Sequence, residues 1–230
     1  MPEAPSNVRR RRREKSFMKS RPFSIPSCVF HLAAAVLLAA LLLVTPAAFP
    51  STSAPLIPKA SAQCPDVEVA FARGRNEPPG VGAVGDVFVN ALRSKTPLSV
   101  GVYGVNYVAD TDPAAGATDM RMRVQSMAKT CPNTRMVLGG YSLGATAADL
   151  MTRANRLSSS ERQHVAAVVM FGNGGKRLGP APAYADRTID QCADGDPICG
   201  RGFNWDSHLQ PSYIGSGLVD QAASYVAGML

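Results

Sequence analysis

The segment that decides the fold reads RMVLGGYSLGATAADLMTRANR and runs from Arg135 to Arg156. Its first four residues favour a β-strand, and the residues from Ala145 onward are good helix formers. Between them lies the turn Gly140-Tyr141-Ser142-Leu143-Gly144, whose G-x-S-x-G glycines let the chain bend tightly. A serine in such a strand–turn–helix stands exposed above a sheet, so Ser142 is the predicted nucleophile. The motif is short, so the same residues have an alternative interpretation, a glycine-rich turn in which the serine only caps the helix.

The chain on either side of this turn alternates between strand and helix patterns. Strand patterns cover 67–72, 98–107, 164–171 and 187–189, and helix patterns cover 84–92, 119–128 and 219–230. Alternation of this kind indicates a parallel sheet with helices on both faces. We therefore predict one α/β domain, a three-layer sandwich with a central, mainly parallel sheet. Segment 172–185 is rich in Gly and Pro but short, so we expect no large lid.

The first 62 residues differ from the rest of the chain. A basic stretch from Arg9 to Arg21 precedes the apolar run Leu32–Val44, and Ala60-Ser61-Ala62 has the small-x-small form of a cleavage site. This run is shorter than the roughly 20 apolar residues that span a bilayer as a helix. We predict a signal peptide over 1–62 and a secreted domain over 63–230. An uncleaved N-terminal anchor is the alternative.

The net positive charge of the chain comes from residues 1–62, here called the leader. Removing residues 1–62 takes away nine Lys or Arg and two Asp or Glu, so 24 basic against 17 acidic residues become 15 against 15. A nucleic-acid-binding domain is expected to carry a basic footprint of its own. The balanced charge therefore argues against a nucleic-acid partner.

Cys28 lies in the leader. The four cysteines that remain are Cys64, Cys131, Cys192 and Cys199. An even number in an exported chain predicts two disulfides, for which three pairings exist. The short spacing of the last two cysteines favours a local bridge between them. A zinc site is disfavoured because the chain has no C-x-x-C pair. We expect neither a metal nor an organic cofactor.

A serine nucleophile needs a histidine base within hydrogen-bond reach. His31 lies in the leader, and His164 opens an apolar strand pattern, where a surface or strand-edge position is expected. His208 remains as the base. It follows Ser142 and precedes the last helix, which fits the chain order serine, acid, histidine.

The acid should lie between the serine and the histidine, where five aspartates are candidates: Asp186, Asp190, Asp194, Asp196 and Asp206. Asp196 is favoured because it lies in the loop between Cys192 and Cys199, where a short disulfide would hold a carboxylate in place. Asp194 lies in the same loop and is the alternative.

Several segments together resemble the cutinase family, most closely the mycobacterial cutinase-like serine esterases. They are Cys64-Pro65-Asp66, Phe71-Ala72-Arg73-Gly74, Gly139-Gly140-Tyr141-Ser142, the loop 192–199 and His208-Leu209. The resemblance implies a cutinase-like α/β-hydrolase fold and the disulfides Cys64–Cys131 and Cys192–Cys199. It also implies Asp196 as the acid, because this residue occupies the family's G-D-x-x-C position.

The resemblance further implies an oxyanion hole made of the backbone N–H groups of Arg75 and Leu143. Many cutinases follow A-R-G with a Ser or Thr whose hydroxyl also serves the hole, whereas this chain has Arg75. The Arg75 side chain either supplies a guanidinium to the site or points into solvent.

The function implied is that of a secreted serine esterase that hydrolyses carboxylic esters of short to medium acyl chain. The alternatives are a lipid-directed esterase, such as a phospholipase A or thioesterase, and a polysaccharide deacetylase. A non-catalytic cell-envelope protein with a binding or antigenic role is the alternative from another class, and Arg75 is the feature in its favour. The expected partners are a small-molecule or lipid ester and, peripherally, cell-envelope lipids. We expect a monomer.

Overall fold

The computed structural model of the protein describes residues 64–230. These residues contain one parallel sheet with the strand order β2-β1-β3-β4-β5. The strands are β1 (Val67–Ala72), β2 (Val100–Gly104), β3 (Arg135–Tyr141), β4 (Val165–Phe171) and β5 (Thr188–Gln191). The predicted mainly parallel sheet is confirmed, and every pairing among these strands is parallel.

Helices cover both faces of this sheet. They are α1 (Gly82–Lys95), α2 (Pro113–Thr130), α3 (Leu143–Arg153), α4 (Ser159–Gln163), α5 (Gln210–Gly215) and α6 (Leu218–Met229). Residues of α1 and α6 pack against Val69, Phe71 and Val137 on one face. Residues of α2 and α3 pack against Ala70 and Leu138 on the other. The predicted three-layer α/β sandwich is confirmed.

The strand residues alternate between the two cores because successive side chains of a strand point to opposite faces. All six residues of β1 are buried, as expected of a strand covered on both sides. Phe71, Phe88 and Phe171 form an aromatic cluster with ring centroids 6.2–6.4 Å apart. Buried Glu68 is the polar exception in β1, and Arg123 of α2 binds its carboxylate through two nitrogens at 2.7 and 2.5 Å.

The helices differ from the predicted ones mainly in the start of α2 and in the short helices α4 and α5. Helix α2 begins at Pro113, six residues before the predicted start, because the Asp112 side chain accepts a hydrogen bond from the Ala114 N–H and caps it. The short helix α4 was not predicted, although Ser158 and Glu161 form a complete capping box at its start. Two helices, α5 and α6, follow the histidine segment where a single one was predicted.

The carboxyl ends of the strands lie at one edge of the sheet, where α/β proteins place their sites. Strand β3 leads to Ser142, β1 to Arg75 and β5 to the loop with Asp196. Between Phe171 and Thr188 the chain forms two short 3₁₀ segments and no α-helix. No helix within residues 64–230 is long and apolar enough to cross a membrane. The predicted signal peptide lies outside the described residues.

Candidate active site

Ser142 lies at the tight turn between β3 and α3. Its backbone has φ 55° and ψ −116°, a region that costs a non-glycine residue on the order of 1–3 kcal/mol. The two glycines of the motif make the turn possible, because a Cβ on Gly140 would overlap the Gly144 carbonyl and a Cβ on Gly144 would overlap the Ala72 carbonyl. The Ser142 N–H donates to the Phe171 carbonyl at 2.8 Å, which anchors the turn to β4.

His208 reaches this serine from a 3₁₀ segment, Trp205–His208. Its Nε2 lies 2.8 Å from Ser142 Oγ. Tyr141 holds the histidine in two ways: its hydroxyl donates to the His208 carbonyl at 2.5 Å, and its ring stacks on the imidazole with centroids 5.9 Å apart. The residue beside the serine therefore helps to orient the histidine.

Asp196 is fully buried and completes the constellation, since its Oδ2 lies 2.7 Å from His208 Nδ1. An ionised carboxylate only accepts hydrogen bonds, so Nδ1 carries the proton and Nε2 is free to accept one from the serine. Its other oxygen, Oδ1, accepts from the N–H groups of Ile198 at 2.7 Å and Cys199 at 3.3 Å. Burial by itself would raise the pKa of the Asp196 carboxyl. The hydrogen bonds from Tyr213, His208 and Ile198 outweigh that effect and lower this pKa.

None of the other candidate acids forms a side-chain hydrogen bond with His208 in the described part of the chain. Asp186, Asp194 and Asp206 are exposed. Asp190 accepts a hydrogen bond from Asn173 Nδ2 at 2.9 Å instead. Burial raises the pKa of the Asp190 carboxyl to about 6. The geometry thus brings together Ser142, His208 and Asp196, and leaves the other aspartates apart.

The two predicted oxyanion donors flank the serine. Arg75 follows β1 and Leu143 is the first residue of α3, and both line the cleft that contains Ser142. Neither backbone N–H donates a hydrogen bond to another described residue. The Arg75 residue is exposed, and its guanidinium forms no ion pair within residues 64–230.

A reciprocal pair of hydrogen bonds shapes the loop that contains Arg75. Arg73 Nε donates to the Glu77 carbonyl at 2.8 Å, and the Glu77 carboxylate accepts from the Gly74 N–H at 2.6 Å. The same carboxylate accepts from Gln210 Nε2 at 2.6 Å, 133 residues further along the chain. Glu77 thereby joins the loop after β1 to the segment that follows the histidine. Sequence reasoning missed this residue, because no local pattern indicates its distant partner.

Two disulfides, Cys64–Cys131 and Cys192–Cys199, are present. They are the pairs that the resemblance implies. The first joins the chain segment before β1 to the end of α2, and the second closes the loop around Asp196. The only metal-like group in the described part of the chain consists of Cys192, Asp196 and Cys199. Cysteine binds metals as the thiolate, which a disulfide does not offer, so this group does not fit a metal.

A cavity of about 610 Å³ opens at the serine. Its wall is mostly apolar, with a few polar side chains besides Ser142 and His208. Its lining residues are Arg75, Tyr141, Ser142, Leu143, Thr146, Ile198, Trp205, His208, Leu209 and Gln210. A mostly apolar cleft with a few convergent polar groups is typical of a small-molecule site.

Residues 63–230 match the family model of the Cutinase family. The chain belongs to the cutinase family. The resemblance seen in the sequence is thereby confirmed. As a cutinase-family member, the protein is a carboxylic ester hydrolase.

Mycobacterial relatives of this cutinase-family protein span almost the same length. It is 49% identical to the probable carboxylesterase Culp2 of Mycobacterium tuberculosis over 216 residues, which cover 86% of this chain and 94% of that protein. It is 44% identical to the phospholipase Culp4 of the same organism over 215 residues, covering 86% of this chain and 90% of that protein.

Among solved structures, a Trichoderma reesei cutinase in complex with a phosphonate inhibitor is 32% identical, with a TM-score of 0.62. The match covers 72% of this chain and 77% of that one. The catalytic core of an acetyl xylan esterase from Trichoderma reesei is 20% identical, with a TM-score of 0.64 over 73% of this chain and 100% of that one. At this identity the second likeness concerns the fold alone.

Proposed function

We propose that the protein is a secreted serine esterase that hydrolyses carboxylic esters of short to medium acyl chain through Ser142, His208 and Asp196. The observation that carries the proposal is the continuous series of short contacts from Ser142 Oγ to His208 Nε2, 2.8 Å, and from His208 Nδ1 to Asp196 Oδ2, 2.7 Å. A nucleophile, a base and an orienting acid in this arrangement are suited to acyl transfer.

In the proposed reaction Ser142 Oγ attacks the ester carbonyl while His208 Nε2 takes its proton. The carbonyl oxygen becomes an oxyanion that accepts hydrogen bonds from the N–H groups of Arg75 and Leu143. His208 then returns the proton to the leaving alkoxide, which departs as the alcohol and leaves an acyl-serine. A water molecule, deprotonated by His208, then attacks the acyl-serine; the bond to Ser142 Oγ breaks, the carboxylic acid departs, and His208 returns the proton to Ser142 Oγ. Asp196 stabilises the imidazolium in both steps.

A lipid-directed activity, such as that of a phospholipase A or thioesterase, is the second candidate, and the surface beside the cleft favours it. Phe203, Trp205 and Leu209 are 95%, 63% and 53% exposed and lie on the segment that carries His208. Trp205 and Leu209 also line the cleft, and exposed apolar side chains at a site of this kind suit contact with cell-envelope lipids. One mycobacterial relative, Culp4, is itself named a phospholipase.

The test is an assay of the purified domain 63–230 on p-nitrophenyl esters of graded chain length and on phospholipid vesicles. We expect the highest kcat/KM on esters of short to medium chain, together with stoichiometric labelling by a serine-directed fluorophosphonate. A preference for vesicles would support the lipid-directed alternative. Absence of both labelling and turnover would leave the non-catalytic envelope role as the better account.

Arg75→Ser tests the oxyanion hole, and we expect it to raise kcat by about tenfold. The change keeps the backbone donor and adds the hydroxyl that many relatives have, and one oxyanion donor contributes on the order of 10²–10³ in kcat. Arg201→Ser, an exposed arginine outside the cleft lining, is the control. A fall in kcat would show that the guanidinium itself serves the reaction, and an unchanged kcat would show that the added hydroxyl does not reach the oxyanion.

Secretion is proposed from the leader and supported by the two disulfides, which persist in oxidising compartments. If Ala60-Ser61-Ala62 is the cleavage site, mass spectrometry of the N-terminal peptide of the exported protein will show that it begins at Gln63, either free or cyclised to pyroglutamate. An exported form that retains Leu32–Val44 would contradict cleavage and favour the anchor. Size-exclusion chromatography of the same sample tests the proposed monomer.

A further inference from the structure

Tyr213 of α5 is a fully buried residue whose hydroxyl points at the acid rather than at the cleft. The hydroxyl donates to Asp196 Oδ2 at 2.5 Å, the same oxygen that lies 2.7 Å from His208 Nδ1. We propose that Tyr213 is a positioning residue of this site. Its hydroxyl fixes the Asp196 carboxylate and competes with His208 for the negative charge of that carboxylate. The inference rests on the proposed function, in which Asp196 orients His208.

The tyrosine oxygen is itself held in place. It accepts a hydrogen bond from the Ala193 N–H at 3.4 Å and lies 3.3 Å from Cys199 Sγ. Both residues belong to the loop around Asp196. A hydroxyl that accepts from this backbone donor directs its own proton to the carboxylate. Tyr213 therefore ties the acid loop to α5.

Packing prevents the ring from turning away. It forms edge-to-face contacts with Tyr141 at 5.6 Å and Phe171 at 6.3 Å between centroids. Gly172, with φ 66°, leaves space for both groups that bind Asp196, because a Cβ there would lie 3.0 Å from both the Tyr213 hydroxyl oxygen and His208 Cε1. Tyr141, Phe171 and Gly172 therefore enclose the Tyr213 side chain next to Asp196.

The two oxygens of Asp196 thus have different partners. Oδ1 faces backbone donors only, whereas Oδ2 divides its acceptor capacity between Tyr213 and His208. These two are the titratable groups that contact Asp196 among the described residues. Burial, followed by the hydrogen bond to Asp196, raises the pKa of the Tyr213 phenol, so the hydroxyl stays a donor at neutral pH. Its donation weakens the attraction of the carboxylate for an imidazolium.

Tyr213→Phe removes this donor and keeps the ring. We expect the acidic limb of the pH profile of kcat/KM to move upward by about 0.5–1 pH unit, since the carboxylate then attracts the imidazolium more strongly. We also expect kcat to fall about tenfold at the plateau, because one oxygen of the carboxylate loses a fixed partner. The control is Tyr184→Phe, a buried tyrosine of the opposite core, for which the limb should stay in place.

Site-specific 3-fluorotyrosine at position 213 provides a second test that does not depend on the folding of the phenylalanine variant. Fluorine lowers the pKa of the phenol and strengthens its donation, so the acidic limb should move downward. Limbs that stay at the wild-type pH in both proteins would overturn the proposal and leave Tyr213 as a packing residue. That outcome differs from failure of the proposed function, in which Ser142→Ala would retain turnover and fluorophosphonate would not label the wild type.

Discussion

Ser142→Ala is expected to lower kcat for ester hydrolysis by about 10⁶-fold, the scale seen when a serine nucleophile is removed from a triad. The loss is large because no other described hydroxyl lies within hydrogen-bond distance of His208 Nε2. Adding His208→Ala should cost little more, since residues that act as one unit cannot lose their contribution twice. Steady-state kinetics on a p-nitrophenyl ester measure both changes.

The matched control for this experiment is Ser126→Ala, an exposed serine on α2. It should leave kcat and KM unchanged. If the effects of Ser142→Ala and His208→Ala multiplied in the double variant, the two residues would act in separate steps. Turnover that survived Ser142→Ala would reject the nucleophile and with it the acyl-serine.

Asp196→Asn is expected to lower kcat by about 10⁴-fold while the protein stays folded. The amide cannot stabilise an imidazolium as a carboxylate does, and its NH₂ group presents a donor to His208 Nδ1–H or to the buried N–H groups that Asp196 satisfies. Rates of labelling by fluorophosphonate should fall together with kcat, because both report the reactivity of Ser142. Circular dichroism checks that the fold is kept.

Asp194→Asn serves as the control within the same disulfide loop. Asp194 is exposed and makes no hydrogen bond to the described residues, so its variant should remain within a factor of two or so of wild type, as surface substitutions usually do. If Asp194→Asn lowered kcat strongly and Asp196→Asn left it near the wild-type value, Asp194 would be the acid instead of Asp196. The fold and the ester-hydrolase class would be unaffected by that result.

Local patterns predicted the sheet better than the helix ends. The boundaries of β1 came out correctly, because a strand buried on both faces is a continuous apolar run apart from Glu68. The predicted start of α2 lies six residues too late, because it leaves out the capping residue Asp112 and the Pro113 that follows it. The capping box of Ser158 and Glu161 is also visible in the sequence and indicates the start of α4.

Among the proposed site residues, Ser142 can be recognised in the sequence because a nucleophilic serine of this kind needs a particular turn. The strained backbone at φ 55° requires glycines two residues before and after the serine, and these are visible in the sequence. His208 is predicted as the base because the other two histidines of the chain, His31 and His164, lie in the leader and at a strand edge. Asp196 was chosen over Asp194 by its position in a resemblance, whereas the structure separates them by burial, since one is fully enclosed and the other exposed.

The sequence by itself determined the fold class, the cutinase-family resemblance and the residues around which a site could form, because turns, strand patterns and cysteine spacing are local properties. Only the tertiary structure decided which distant residues hold the proposed site residues in place. Glu77 meets Gln210 across 133 residues, and Tyr213 reaches Asp196 from a helix that no pattern predicted. Such contacts depend on how loops from different strand ends converge at one edge of the sheet. A hydrogen bond between distant residues leaves no periodicity in the chain that forms it.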